Sequence, residues 1–406
     1  MRNTYSYYIN NNLSVGLWIS AGIYSLLLFS EISFKLFDIG GKYVFEAALL
    51  AAFFYYLMVK DDIGRSFEVA IRRKSSELLL ISFVMALILF VGLVRTANFF
   101  DVYTDFRSNF VFVLGFIAAR YLLANRSDKI LVLAVATSFI SIVYWIYLYK
   151  NGQLGNKYTV PLFSAVVALL LSIDSRKWYL VFYSIFSLLF LSAVSFFRQY
   201  WLIALLTIFA SFLKVIKFNF KAIRNIALLL MPVVVAVYFG QEFVWRLFNS
   251  SESLYIQSIG KTQDALDLFQ GGSGSASDKL RLAYFSYMIE NSAGLILPHG
   301  LGYKSNSENF DPWFYKYGDA SSTIDSFFLF VIYHYGYLVF LPLVYWFARA
   351  VGKVAKSDGI FISGLLFFVF LIPGAFDGGQ VTVIPRAFWF GVFCAYLVTS
   401  RKAQND

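Results

Sequence analysis

Long apolar runs separated by short polar segments make up most of this 406-residue chain. A helix needs about 20 mainly apolar residues to cross a bilayer, whereas a barrel strand shows about 10 residues of alternating polarity. The runs do not alternate, so the pattern predicts an all-α integral membrane protein with about 12 transmembrane helices. The runs lie near 13–30, 43–59, 77–94, 108–124, 130–149, 159–173, 178–196, 200–216, 226–243, 323–347, 359–373 and 387–400.

One polar stretch, residues 245–322, interrupts this pattern. Unpaired backbone polar groups are costly inside hydrocarbon, so a segment this polar is expected to stay outside the membrane. The predicted organisation is transmembrane helices 1–9 within residues 1–244, a large and partly helical loop at 245–322, and helices 10–12 with a cytoplasmic tail at 323–406. In a protein that is mostly membrane, this loop is the first place to look for chemistry.

The basic residues give the chain an orientation. If the N-terminus is cytoplasmic, 20 of the 34 Lys and Arg residues fall in cytoplasmic segments, 8 in short segments on the other side and 6 in the long loop. Lys and Arg concentrate in the short cytoplasmic loops of membrane proteins. We therefore expect a multi-pass protein of the bacterial inner membrane with both termini in the cytoplasm and the long loop in the periplasm.

The composition excludes several kinds of ligand and cofactor. The net charge of +10 is explained by a positive cytoplasmic face and anionic lipid, without nucleic acid. One cysteine, Cys394, and two histidines far apart, His299 and His334, give no metal-ligand spacing, so neither a metal nor another cofactor is predicted. The cytoplasmic loops contain no Gly-rich phosphate loop. A reaction on the outer side without nucleotide would use an activated donor such as a lipid-diphosphate sugar.

Several arginines lie at or beside predicted spans on the periplasmic side: Arg95, Arg107, Arg198 and Arg386. Arginine binds phosphate through two parallel hydrogen bonds and stabilises the charge that develops as a glycosidic bond breaks. Each of these residues also fits an arginine whose stem lies in the membrane and whose head reaches the interface. Arg281, in the amphipathic loop segment DKLRLAYFSYMIEN, is another outward arginine and, taken alone, an ordinary surface residue.

The order of motifs over residues 185 to 345 resembles the O-antigen polymerases and O-antigen ligases. That family shows an upstream arginine between two spans, an Arg-led amphipathic helix, a G-x-G turn after an apolar patch, and a polar residue or pair before a span that ends in glycine. The matching residues here are Arg198, Arg281, Gly300-Leu301-Gly302, Asp325-Ser326 and Gly336. Ligases usually place a His-Asn-like pair before that span, where this chain has Thr323 to Ser326, so the resemblance favours a polymerase.

The resemblance implies a GT-C-like fold and a polysaccharide polymerase. Such an enzyme transfers the growing glycan from one undecaprenyl-diphosphate carrier to the non-reducing sugar of another carrier-linked repeat unit. Its implied partners are undecaprenyl-diphosphate-linked oligosaccharide as donor and acceptor, membrane lipid and a chain-length regulator protein. The alternative within the family is a ligase that transfers polymer to lipid A–core. The alternative from another class is a flippase or transporter, which would show repeat symmetry between its halves, and this chain shows none.

The resemblance also gives roles to particular residues. Arg198 and Arg281 are expected to hold the donor diphosphate, with Arg107 and Arg386 as further substrate-binding residues. Arginines at the diphosphate would make the reaction metal-independent.

The general base remains open at this stage. Asp325 is the first choice for the carboxylate that activates the acceptor hydroxyl, and it equally fits a helix N-cap. His299 and Tyr303 complete the expected substrate-binding set, although His299 also fits a turn residue. His334, within a predicted span, fits a packed histidine.

Overall fold

The computed structural model describes residues 18, 21–23, 25, 83–95, 99–125, 127–150, 161–194, 198–215, 289–290, 292–302, 327–376 and 384–399. These residues form an all-helical structure in which no strand occurs. The main helical segments among these residues, numbered in chain order, are α1 Phe83–Arg95, α2 Phe99–Asn125, α3 Ser127–Lys150, α4 Leu162–Asp174, α5 Trp178–Val194, α6 Arg198–Val215, α7 Phe327–Tyr335, α8 Tyr337–Asp358, α9 Ile360–Phe376 and α10 Ile384–Val398.

Most described helices coincide with predicted apolar runs. The runs at 130–149, 178–196 and 200–216 correspond to α3, α5 and α6. Two described helices contain stretches long and apolar enough to cross a membrane, Ser127–Tyr147 in α3 and Tyr337–Lys356 in α8. The predicted runs at 43–59 and 226–243, and most of the run at 13–30, lie outside the described residues.

Helix α2 begins nine residues before the apolar run that predicted it, at Phe99 instead of about residue 108. Its first turns contain polar residues that hydrophobicity alone assigns to a loop, among them Asp105 and Arg107. Ser108 and Asn109 each donate a side-chain hydrogen bond to the Asp105 carbonyl oxygen, at 3.2 and 2.7 Å. Such bonds to the preceding turn let short polar side chains lie within a helix.

The run at 323–347, which was expected to form one span, is broken at Gly336. Gly336 has φ +73° and separates α7 from α8. The rings of Phe328 and Phe340 lie 6.2 Å apart, whereas twelve residues of straight helix would separate them by about 18 Å. The two helices therefore fold back on each other. The prediction of one span over 323–347 is wrong, and the expected end of a helix at Gly336 is confirmed.

Part of the long polar loop closes this break. The first amides of α8, those of Tyr337 and Leu338, donate to the carbonyls of Leu295 and Ile296, at 2.9 and 3.1 Å. Helix ends leave backbone groups without intrahelical partners, and here loop carbonyls supply them. A Cβ on Gly336 would lie 2.7 Å from the Ile296 carbonyl oxygen, so glycine lets loop and helix approach this closely. Within residues 295–302 of the loop, Leu295, Pro298 and residues 300–302 are buried against the helices, whereas Ile296 and Leu297 are exposed.

Helices α2 and α10 pack in close contact through one glycine on each. A Cβ at Gly115 would lie 2.5 Å from the Phe388 carbonyl oxygen, and a Cβ at Gly391 would overlap the Phe112 carbonyl oxygen. Small residues let helix backbones approach closely and are enriched where helices meet in membranes. The contact holds α10 in the core, where the side chain of every residue from 386 to 398 is buried.

The helix ends fall into two groups. At one end, Lys214 of α6 forms an ion pair with Asp174 of α4, and the hydroxyl of Tyr396 on α10 donates to the same carboxylate at 3.2 Å. At the other end, the Arg386 guanidinium of α10 lies 5.7 Å from the ring centre of Tyr200 in the first turn of α6. We call these the Lys214 end and the Arg386 end. Helices α6 and α10 therefore run in the same direction.

Helix α2 runs in that direction as well. Its last residue, Asn125, is two positions before the first residue of α3. Asp128, in the first turn of α3, attracts the ammonium of the buried Lys177. Lys177 lies three residues beyond Asp174, so the start of α3 and the end of α2 lie at the Lys214 end. Asp105 precedes the Gly115 crossing point by ten residues, about 15 Å along the helix. Asp105 and Arg386 therefore both lie on the Arg386 side of the crossing.

Candidate active site around the Gly300 turn

Residues 300–302, called the Gly300 turn below, are buried between three helices. The backbone N–H groups of the turn each donate to a different helix. Gly300 donates to the carbonyl of His334 on α7 at 3.0 Å, Leu301 to the carbonyl of Ile88 on α1 at 3.4 Å, and Gly302 to Oδ2 of Asp105 on α2 at 2.8 Å. Buried backbone N–H groups are rarely left without an acceptor, and each of these has one on a different helix. The turn therefore joins α1, α2 and α7.

The turn needs glycine at both ends. Gly300 and Gly302 have φ of +88° and +73°, a region that other L residues rarely adopt. The backbones of Gly300 and Gly92 also meet, and a Cβ on Gly300 would lie 2.5 Å from the Cα of Gly92. The G-x-G turn expected from the sequence is thus present, and Gly92 is its counterpart on α1.

A polar network surrounds the turn. The Nδ1 of His334 lies 2.7 Å from the carbonyl oxygen of Gly300, and because a carbonyl can only accept, this nitrogen carries a hydrogen. On the next residue, the Tyr335 hydroxyl donates to Oδ1 of Asn109 at 3.1 Å, and Nδ2 of Asn109 donates to the Asp105 carbonyl at 2.7 Å. The expectation that His334 is a packed histidine is confirmed, since it is 5% exposed.

His299, a predicted substrate-binding residue, lies immediately before the turn. Its ring stacks on Tyr333 with centroids 5.1 Å apart and planes 9° from parallel. Burial, and then the nearby charges of Arg95 and His334, lower the pKa of His299 below its ordinary value, although a backbone hydrogen bond at Tyr333 opposes this. At neutral pH the imidazole is therefore uncharged and sits close to a permanent cation, Arg95.

Two more predicted arginines lie at the Arg386 end. Arg386 is 4% exposed, and Arg198 is the first residue of α6, two positions before the Tyr200 ring that the Arg386 guanidinium contacts. The structure therefore brings the beginnings of α6 and α10 together, as a site that uses both arginines requires. Because Arg386 is buried, its observed contact positions the first turn of α6.

Of the remaining predicted site residues, Arg107 is described by the structure and does not share a helix face with Asp105. Arg107 is half-buried on α2, two residues after Asp105, and side chains two apart in a helix point to different faces. Arg281, Tyr303, Asp325 and the side chain of Arg198 lie outside the described residues.

The Lys214 end offers a cavity with little chemistry. Its volume is only about 20 Å³ and its lining is mostly apolar, with Lys214, Ser363 and Tyr396 as the polar members. Lys214 and Tyr396 already bind Asp174. Among the described residues no three His, Cys, Asp or Glu side chains group closely enough to hold a metal ion. Metal independence stays a prediction.

Comparisons of the chain with protein-family models, with curated proteins and with solved structures find no match.

Sequence reasoning missed three residues of the site: Gly92, Asp105 and Asn109. One available signal was Asp105, three residues before the apolar run at 108–124, since ionisable groups at or within spans commonly mark functional sites. Asn109 lies four residues later, inside that run. The partner of Gly92 is more than two hundred positions away, and nothing local in the sequence indicates it.

Proposed function

We propose that this protein is an inner-membrane polysaccharide polymerase, with about 12 spans and a periplasmic active site. It transfers a growing glycan from one undecaprenyl-diphosphate carrier to the non-reducing sugar of a second carrier-linked repeat unit. The bond between the anomeric carbon and the donor phosphate breaks, and a bond from that carbon to the acceptor oxygen forms. The acceptor hydroxyl proton goes to a carboxylate, for which Asp325 is the candidate, and undecaprenyl diphosphate leaves.

One observation carries the proposal: two motif elements of the family resemblance are in direct contact. The Gly300 turn and the glycine-terminated helix α7 are separated in the chain by the 24 residues between Gly302 and Phe327, yet they exchange two hydrogen bonds through His334. Gly336, the glycine that ends this helix, packs on the same loop segment. A set of motifs that defines one site should converge in this way.

The charges at the Arg386 end support a diphosphate substrate. Arg95 lies near His299, and Arg386 lies against the first turn of α6, which begins with Arg198. Arginine keeps its charge at any physiological pH and stabilises a leaving diphosphate by paired hydrogen bonds. In this proposal Arg198 and Arg281 contact the diphosphate directly, and Arg386 holds the helix that carries Arg198.

The break at Gly336 is also a feature of transporters, which bind substrates at the free ends of interrupted helices. In this chain the ends at the break already have partners. The His334 carbonyl of α7 accepts from the Gly300 amide, and the first amides of α8 donate to loop carbonyls. Because the protein's own loop occupies these groups, the break favours a fixed site over a transport path.

A lipopolysaccharide gel from a strain that lacks this protein tests the proposal. A polymerase defect leaves lipid A–core capped with single repeat units, because transfer to the core continues without chain growth. We expect that pattern, with a full ladder restored by the wild-type gene. Bare core with accumulated carrier-linked polymer would indicate a ligase. Bare core with untranslocated single units would indicate a flippase.

A further inference from the structure

Asp105 has no role in the reaction as proposed above, yet it holds the Gly300 turn. Its Oδ2 accepts the Gly302 amide at 2.8 Å across 197 positions of sequence. The residue is partly buried, and charge-assisted bonds in such places are stronger than bonds between neutral groups.

The contacts of Asp105 link the turn to α7 by a second route. The Asp105 carbonyl accepts from Nδ2 of Asn109, whose Oδ1 accepts from the hydroxyl of Tyr335 at the end of α7. The residue before it, His334, holds the opposite side of the turn at the Gly300 carbonyl. Asp105 on α2 and His334 on α7 therefore hold the turn from opposite sides, and we call these two residues the clamp.

We propose that Asp105 is a positioning residue that fixes the Gly300 turn to α2. This inference rests on the proposed polymerase function, because it concerns the same site. It requires only that the side chain present an acceptor oxygen at the aspartate length. Asparagine supplies that oxygen, alanine supplies none, and glutamate places its oxygens one methylene farther away.

Hydrogen exchange of the purified, detergent-solubilised full-length protein tests the clamp without substrate. In Asp105→Ala, the amide of Gly302 should exchange about tenfold faster or more, because its hydrogen bond is lost and the turn opens locally. In Asp105→Asn, exchange should stay within a few-fold of wild type. The exposed Glu290 in the same loop is a matched acidic control, and Glu290→Ala should leave the exchange of Gly302 unchanged.

Polymer formation by the same variants tests the role of the clamp. Asp105→Asn should keep most of the activity, whereas Asp105→Ala should lose about tenfold or more. If Asp105 were the general base, Asp105→Asn would also lose its activity, because asparagine cannot take a proton. Unchanged Gly302 exchange in Asp105→Ala would overturn the proposal, as would an Asp105→Asn variant as inactive as alanine.

If the alanine variant does not reach the membrane, Asp105→Glu replaces it. A positioning role predicts higher activity for Asp105→Asn than for Asp105→Glu, and the reverse order overturns it. If wild-type protein makes no polymer while the exchange pattern holds, the polymerase function fails and the clamp stands.

Discussion

Replacing Gly300 with alanine should abolish polymer formation and lower the stability of the protein. The new Cβ would lie 2.5 Å from the Gly92 Cα and 2.7 Å from the Val91 carbonyl carbon, both backbone atoms of α1 that cannot rotate away. The φ of +88° adds strain of about 1–2 kcal/mol for any L side chain, and overpacking adds about 1–3 kcal/mol. The turn can relieve this only by leaving α1, which breaks its hydrogen bonds to α1, α2 and α7.

Gly92→Ala and Gly352→Ala provide graded controls for this prediction. A Cβ on Gly92 meets the Leu301 backbone from the other side but without positive φ, so its effect should be intermediate. Gly352 is exposed on α8 with nothing within 4 Å of a Cβ, and alanine there should be neutral or stabilise the helix by about 1 kcal/mol. Polymer length on gels and thermal unfolding in detergent measure both effects. Wild-type behaviour of Gly300→Ala would show that the contact between the turn and α1 is not required.

Arg198→Lys and Arg281→Lys should each lose most of the polymerase activity although the charge is kept. Lysine cannot form the two parallel hydrogen bonds that a guanidinium makes to phosphate. Losing one such contact in a low-dielectric site costs about 2–4 kcal/mol in the transition state, or about 30- to 1,000-fold in rate. Arg349→Lys, on the exposed surface of α8, is the matched control and should leave the rate unchanged.

The double variant tests whether the two arginines share one ligand. If they bind the same diphosphate, the combined loss should be smaller than the product of the single losses, because the second substitution acts on a contact already weakened. Strictly multiplicative losses would assign the arginines to separate tasks. Normal polymer from either single variant, at unchanged protein level in the membrane, would remove that arginine from the site.

The positions of most described helices could be predicted from the sequence, because an apolar run is visible in the local sequence. The run at 178–196 became Trp178–Val194, and the run at 200–216 became Arg198–Val215. The same criterion failed at α2 and at Gly336. Polar residues extended α2 through hydrogen bonds to its own backbone, and one glycine with positive φ divided an unbroken apolar run.

Only part of the site could be predicted from the sequence. The G-x-G turn could be predicted because positive φ demands glycine, and Gly336 marked a helix end for the same reason. The contacts of the turn with Gly92 and Asp105 could not be predicted, since they join positions about two hundred residues apart and depend on how helices pack. The arginines were predicted from their residue type, from their places on the outward side of the spans and, for Arg198 and Arg281, from the family resemblance. The structure adds that Arg386 and the first turn of α6 meet.

Polymerisation by the purified protein in liposomes tests the central claim most directly. The only substrate supplied is undecaprenyl-diphosphate-linked repeat unit, with a chelator present and no lipid A–core. We predict a ladder of carrier-linked glycans that increase by one repeat unit per step, with one undecaprenyl diphosphate released for each bond formed. No product longer than one unit, a ladder that needs an added divalent cation, or glycan transfer only when lipid A–core is added would contradict the assignment as a metal-independent polymerase.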